Sequence, residues 1–432
     1  MPRLRVAICG AGVGGLTTAL ALSKYEDIAV DLYEGASQLA EVGAGIGAFG
    51  RPWKVLQKLG VTEDLLKTTE EVTSWTYRKA DEAEGLDIIT LNAGLITLHR
   101  ADFQNTLVHH LPERYHLHTS KRLQKYVQDS DGVELTFADG STARCDVLVG
   151  ADGLKSATRA QLLQDLASKS TDPTQSNEFL SCIPPTWTGM VAYRGLIPSE
   201  KLRGISPSHR ALSHDTQFIG KNGSVVAYPL MNGTVINVAA IVARPELEGT
   251  PYPGDWFKCV EIDELAPTLA HWEPDVQALI QCIEQPLRWA IHAVKPLQTF
   301  VSSRVALLGD AAHAMHPNQG SGAGQAIEDA LIMATVLGHK STNKGNLENA
   351  ISVYDTIRRP FALDVARRSR LQAKMTMFQG EGLPSDFETL EGEEKLQALK
   401  QLGKAAQENI QWAWTTSLDD DVERAFHMLE SW

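Results

Sequence analysis

The chain has 432 residues, 43% of them hydrophobic and 22% charged, with a formal net charge of -13. That length and composition suit a globular protein of two or three domains of about 150 residues each. The acidic excess repels phosphate backbones and anionic lipid headgroups, so no nucleic acid and no membrane surface is expected as a partner.

Five cysteines (Cys9, Cys145, Cys182, Cys259, Cys282) are spread along the chain with no CxxC or Cys/His ligand spacing. Neither a metal site nor a disulfide framework is indicated, and a reducing, cytoplasmic setting is the simpler expectation. At the N-terminus, Val6 to Ser23 carries no charge and follows Arg3 and Arg5, which imitates a signal peptide. Its glycines, at positions 10, 12, 14 and 15, would each cost a helix about 1 kcal/mol. The segment therefore reads as strand, turn and helix.

LRVAIC (4–9) is a short apolar run suited to a buried parallel strand. A glycine turn follows, then LTTALALSK as a helix and IAVDLYE (28–34) as a second strand, making one βαβ unit. Gly10, Gly12 and Gly15 fit GxGxxG, with Glu34 19 positions beyond Gly15 at the end of the next strand. Such glycines let a turn pass close to a pyrophosphate, helix N-terminal amides face that charge, and the acid accepts ribose hydroxyls. Gly45 to Gly50 also match the pattern, but no apolar strand leads into them and Pro52 follows. Only the first match has the context of a dinucleotide site.

CDVLVGADG (145–153) and RVALLGDAA (304–312) are two further apolar strands ending in Gly/Asp turns, each followed by a helix. Three strands that end alike predict one sheet with aligned carboxyl ends, where ligands bind in open α/β folds. After the third strand, Asp310 can accept a hydroxyl from a sugar-like chain. Pro317 then breaks the chain before Gly320–Gly324, whose bare amides at a helix start favour negative charge on whatever lies against them.

Between these strands, residues 183–254 alternate β-branched and aromatic residues between NG turns (TGMVAYRGLIP, GSVVAYPL, GTVINVAAIVA). They predict an antiparallel sheet forming an inserted domain. From about 350 the pattern is helical, with ISVYDTIRRPFALDVARRSRLQAKM as the longest candidate and a Trp-rich tail after it. The expected fold is α/β: a Rossmann-like nucleotide-binding domain, an inserted antiparallel β-sheet substrate domain and a helical C-terminal region. The expected boundaries are 1–182 for the first part of the nucleotide domain, of which about 73–96 joins the substrate domain, then 183–285 for the substrate domain. The second nucleotide part spans 286–375 and the helical tail 376–432.

The glycine turn, the stretch Asp152–Arg159 (DGLKSATR) and the stretch around Asp310, in this order and spacing, resemble the single-component FAD-dependent aromatic monooxygenases, the salicylate hydroxylase and 4-hydroxybenzoate hydroxylase family. The resemblance runs from the N-terminus to about residue 370. It implies FAD held by Gly10, Gly12, Gly15 and Glu34, with the ribityl–pyrophosphate part at Asp310 and the ring near Gly322, Ala323 and Gly324. It also implies roles for Asp152 near FAD and NAD(P)H, for Arg100 near the flavin chain, and for Gly47 in a loop packed on the flavin. A narrower similarity, to fungal salicylate-hydroxylase-like enzymes, points to Arg194 in VAYRGLIP and Tyr228 in VVAYPLMN as the residues facing substrate.

The activity implied is hydroxylation of a phenol such as salicylate or another hydroxybenzoate, with or without loss of CO2. NAD(P)H is the transient reductant and O2 the oxidant, through a C4a-hydroperoxide of the flavin. A guanidinium at Arg194 would favour a phenolate or clamp a carboxylate; the structural alternative is an ion pair across the sheet. The expected partners are a small aromatic substrate and O2, and the expected assembly is a monomer or homodimer. Competing readings are a flavin epoxidase or hydroxylase of a non-phenolic metabolite, an NAD-dependent dehydrogenase, and a flavin-binding interaction protein without catalysis.

Three further expectations concern single residues. Arg51 stands where many relatives carry a Pro-Asn pair, and is expected to be a surface residue on a helix start or, failing that, a second anion contact. His313 and His316 have no carboxylate or nucleophile at suitable spacing, and His99 and His292 are expected as hydrogen-bonded core residues, so no histidine is assigned to catalysis. No GxSxG elbow occurs, which argues against a hydrolase.

Overall fold

The computed structural model describes residues 2–39, 45–67, 69–72, 74–92 and 94–431, with 70–72 described in their backbone only. The three strands expected to share a sheet do so as Leu4–Cys9, Val147–Gly150 and Val305–Leu307, hydrogen-bonded in parallel with Val6 opposite Val147 and Leu148 opposite Val305. Ile28–Tyr33 pairs on the other edge of Leu4–Cys9, followed by His116–His118. The short strand Val301–Ser302 closes the far edge in antiparallel fashion. Helices cover both faces, so the central strands are almost wholly buried and apolar, with Arg5 the exposed residue of Leu4–Cys9. Val147–Gly150 and Val305–Leu307 have no exposed residue. Helices Val13–Leu22 and Gly322–Gly338 share the resulting core with Leu347–Thr376.

Leu123–Asp129, Gly132–Phe137 and Thr142–Cys145 form a separate three-stranded sheet. Gly132–Phe137 alternates in burial whereas Leu123–Asp129 buries only Leu123 and Tyr126, and sequence reasoning did not resolve them.

The second large layer is an eight-stranded sheet in the order Phe257–Cys259, Leu287–Ala293, Thr186–Pro198, Val235–Ala243, Gly223–Leu230, Asp215–Gly220, Trp75–Lys79, Leu86–Leu91. All neighbours are antiparallel except Asp215–Gly220 with Trp75–Lys79, which are parallel. That exception arises because Trp75–Lys79 arrives from the N-terminal part of the chain and not through a hairpin. Leu287–Ala293 lies beyond the 285/286 boundary drawn from sequence, yet pairs with Thr186–Pro198 inside this sheet. Residues 73 and 93, within the 73–96 stretch assigned to the substrate domain, lie outside the described residues.

Period-two alternation divides the sheet into two faces. Tyr193, Ile197, Phe218, Val225, Ala227, Ile236, Val238 and Ala240 pack into one core with Leu202, Val276 and Leu279 of the covering helices Ser199–Ile205 and Pro274–Cys282. The opposite face carries Arg194, Gln217, Tyr228, Asn237 and Ala239 and turns toward the first domain.

The tail is folded back on both layers. Gly392–Ile410 packs its Leu399, Leu402 and Ala406 with Ile88 and Ile89 of the sheet, while Leu418, Ala425 and Leu429 join the core of the nucleotide domain. Among the described residues no helix is long and apolar enough to cross a membrane.

Candidate active site

The N-terminal turn begins where Leu4–Cys9 ends. Gly10 has φ +105, a conformation that L side chains rarely adopt, and a Cβ at Gly15 would collide with the carbonyl oxygen of Gly10. The turn is therefore tight because two glycines make it so. A Cβ at Gly12, by contrast, would meet nothing within 4 Å, so this face of the turn is open to a ligand. The Glu34 carboxylate accepts from the backbone N–H of Ala11 (2.9 Å) and of Ala36 (2.8 Å), which aims it along the same opening. Gln104, which sequence reasoning missed, donates to the Ala11 carbonyl at 3.2 Å from helix Arg100–His109. Arg100 begins that helix and is exposed.

Two other corners converge here. Asp152 accepts from Ser156, the N-cap of helix Ala157–Lys169, from the Thr158 N–H (3.0 Å) and from the Thr158 hydroxyl (2.9 Å). Arg159, wholly buried, ties the corners together by donating to the carbonyls of Leu154 (2.6 Å), Ile183 (3.2 Å) and Ala311 (3.0 Å). Asp310 follows Gly309 (φ +59) and is exposed, with no hydrogen-bond partner for its carboxylate among the described residues. The Gly309 N–H is held by Asp329 at 3.0 Å.

His313 pairs with a carboxylate after all. Its Nε2 stands 2.6 Å from Asp329 Oδ2, because helix Gly322–Gly338 runs back past the turn and brings a residue sixteen positions away into contact. Asp329 also accepts from Arg358 Nε at 2.8 Å, and Arg358 reaches Glu328 at 3.0 Å, all of them fully buried. Burial alone would raise the Asp329 pKa, but His313 and Arg358 outweigh it and hold it down to about 2. Arg51 is likewise not a surface residue. It is 3% exposed and donates to Glu328 (3.0 Å), Asp421 (2.7 Å), Thr416 (3.1 Å) and the Ser417 carbonyl (2.7 Å), with its guanidinium 4.2 Å from the Phe361 ring centroid. His316 is buried, which pushes its pKa down to about 4 and leaves it neutral. His292 stacks on Trp256 at 3.6 Å between centroids, and its Nδ1 lies 2.9 Å from the Ala290 carbonyl.

Between the two layers lies a cavity of ≈ 160 Å³, about the volume that admits one benzene-sized ring. Its floor is the outward face of the large sheet, where Arg194 stands opposite Ala239, Tyr228 opposite Asn237, and Gln217 opposite Tyr77. Its roof includes Gly47 and the strip Pro317–Gly320, and Trp414 of the tail closes one side. Thus Arg194, Tyr228 and Gly47 come together on one cavity with the glycine strip that precedes Gly322, Ala323 and Gly324.

No carboxylate lies within ion-pair distance of Arg194 among the described residues, so the cross-sheet ion pair that could have explained this arginine is not formed. Burial lowers the Arg194 pKa; Tyr228 draws it back and Arg100 pushes it further down, so these three groups share one electrostatic environment. Burial also raises Tyr228 to about 12, against the pull of Arg194. Asn318, in the roof, has both its amide oxygen and its nitrogen buried without a partner, and the Gln319 oxygen is in the same state. Unpaired buried amides are costly in a folded protein, and a polar heteroaromatic edge lying against this strip would satisfy them. With the open glycine turn and the free Asp310, the donor set fits a flavin dinucleotide extended across the three corners.

Asn237 carried a usable signal in the sequence, as the single polar residue of the strand VINVAAIVA, whereas Gln217 follows two other polar residues in DTQFIG and did not stand out. Asn318, Gln319 and Trp414 carried none, because their place depends on how distant segments meet.

This arrangement defines a flavoprotein. The chain belongs to the FAD-binding domain family, whose profile matches residues 3–369, and is an FAD-dependent aromatic monooxygenase of that family. It is similar along nearly its whole length to the FAD-dependent monooxygenase str9 of Strobilurus tenacellus, at 34% identity over 99% of this chain and 98% of that protein. It is also similar to a salicylate hydroxylase of Pseudomonas putida, at 33% identity over 98% and 94%, and to the 6-methylsalicylate 1-monooxygenase atA of Aspergillus terreus, at 32% over 89% and 85%. A solved salicylate hydroxylase substrate complex superposes with a TM-score of 0.83, at 31% identity over 98% of each chain. With the family established, FAD is the cofactor and NAD(P)H the reductant.

Proposed function

We propose that this enzyme hydroxylates a small phenolic aromatic acid, a hydroxybenzoate of the salicylate type, using NAD(P)H and O2. The observation that carries this reading is Arg194, a cation facing a ring-sized cavity with no carboxylate partner among the described residues. An unpaired guanidinium at a largely apolar wall calls for an anion, and its planar fork matches a carboxylate in bidentate fashion.

Bound FAD, once reduced, activates oxygen; the chain's own side chains bind, orient and ionise the ring. Arg194 holds the carboxylate or, at about 4–6 Å from the phenol oxygen, lowers the phenol pKa by about 1–3 units, which raises the electron density of the ring. Tyr228, protonated at neutral pH, donates to the same edge of the substrate. Trp75, Leu95 and Trp414 line the remaining walls with apolar surface and keep water out. With salicylate the balance is one oxygen atom entering the ring carbon that carried the carboxylate. CO2 departs, the second oxygen leaves as water, and NAD(P)H supplies the two electrons. Along this reading Gly10, Gly12, Gly15, Glu34 and Asp310 hold the dinucleotide, and Gly322–Gly324 the flavin ring.

The test is oxygen uptake and NAD(P)H oxidation across benzoates, hydroquinones and phenols, with product identification. Hydroxybenzoates should stimulate both and yield a stoichiometric phenolic product. If no phenol stimulates oxidation and a non-phenolic compound does, the reading is wrong.

A further inference from the structure

The cavity has an unequal perimeter. Its polar groups are Arg194, Gln217, Tyr228 and Asn237 on the sheet and Asn318 and Gln319 in the roof, whereas Phe49, Ile410 and Trp414 form an apolar wall in which the last two come from the far end of the chain. Trp414 is in the short helix Trp412–Thr415, its ring 5.8 Å from that of Phe49, and a Cβ at Gly50 would lie 3.7 Å from the Trp414 Cα. At that distance the tail lies in van der Waals reach of the start of helix Gly50–Lys58.

Asn409 anchors the N-terminal side of this segment of the tail by donating to the Arg368 carbonyl (2.9 Å) and to Gln372 (2.8 Å), and Arg51 holds its C-terminal side. The guanidinium of Arg51 bonds Thr416, Ser417 and Asp421 on the tail side and Glu328 on the nucleotide-domain side. Thr416 and Ser417 come two and three residues after Trp414. A buried guanidinium with four polar partners admits few alternative geometries, because any partner it gives up leaves a buried charge less than fully bonded.

We propose that the segment Ile410–Trp414 is the specificity-determining wall of the aromatic cavity, and that Arg51 is the positioning residue that holds this wall in place. The wall limits how far a substrate ring extends on the side away from Arg194, so the enzyme takes compact hydroxybenzoates and excludes those bearing long alkyl substituents. This rests on the reading of the cavity as the site of an aromatic acid.

The experiment uses the FAD-loaded full chain and a series of benzoates and hydroxybenzoates carrying alkyl groups of increasing length. Binding is followed by perturbation of the flavin absorbance, and turnover separately. Trp414→Ala should raise the affinity ratio of long-alkyl to unsubstituted ligands by about tenfold or more, the scale of a hydrophobic pocket's discrimination. Arg51→Met should shift the ratio in the same direction, Arg51→Lys should restore part of it, and hydrogen exchange across 410–421 should speed up in the FAD-free Arg51→Met protein. If Arg51→Met does not fold, Asp421→Asn removes only the outer partner and should give a smaller shift of the same sign. A ratio within twofold of wild type in Trp414→Ala overturns the wall. A normal ratio with unchanged exchange in the Arg51 or Asp421 variant overturns the positioning role. Should no hydroxybenzoate be turned over while the binding ratio still shifts, the substrate reading fails and the wall stands.

Discussion

Asp329→Asn tests how the turn after strand Val305–Leu307 is held. In the native protein this buried carboxylate takes the Gly309 N–H at 3.0 Å, His313 Nε2 at 2.6 Å and Arg358 Nε at 2.8 Å. Its pKa, down to about 2 from the usual 3.8, corresponds to about 2 kcal/mol of stability at neutral pH. Asparagine has the same shape, yet it offers one acceptor oxygen to three donors and leaves Arg358 buried with a single full negative charge, Glu328. Breaking a buried pair in this way costs about 3–5 kcal/mol, so a loss of about 3 kcal/mol is expected. The folded pKa lies below the unfolded one, so the contribution is complete above about pH 5 and is lost as pH falls from about 4 toward 2. Urea unfolding of both proteins at fixed excess FAD, at pH 7 and in steps down to pH 3, measures the gap, which should narrow by about 1 kcal/mol at the acid end. A loss below about 1 kcal/mol at pH 7, or a gap that widens on acidification, would refute the reasoning.

Four further outcomes are expected. Arg194→Ala should abolish hydroxylation while the protein stays yellow, checked by product yield per bound flavin; normal turnover would contradict its role. Asp310→Ala should lower FAD retention, seen as a raised FAD dissociation constant by flavin fluorescence, whereas a fully loaded and active variant would exclude the assignment. Gly15→Ala drives a methyl into the Gly10 carbonyl and should yield FAD-free or poorly folded protein, monitored by the ratio of flavin to protein absorbance. Tyr228 titrates only near about 12, so it should add no inflection to the pH–rate profile between pH 6 and 10. Tyr228→Phe should then lower turnover several-fold without changing the profile's shape.

The nucleotide domain was legible because its signals are local. Apolar strands buried on both faces, a glycine turn and an acid at the end of the next strand are all written within 31 residues, Leu4 to Glu34. The strands at 147–150 and 305–307 could be matched to the first by the way each ends, and the structure makes them neighbours. Local pattern failed where a role depends on contacts between distant segments. Arg51 looked like an exposed residue at a helix start, because nothing near it in sequence shows that Glu328 and Asp421 surround it. His313 looked unpaired because its partner sits sixteen positions away on the next helix. Trp414 could be seen only as part of an aromatic-rich tail.

What the sequence determined by itself is the shape of the N-terminal turn, since closely spaced glycines dictate how a backbone turns; the chemistry class was legible only through the family resemblance that three motifs carry in their order and spacing. What only the tertiary structure decided is the shape of the room beside that turn. Strand register sets which side chains of an alternating run face the cavity, and one buried arginine sets where the tail closes it. Both depend on pairings across hundreds of residues, and such pairings leave no periodicity in the chain.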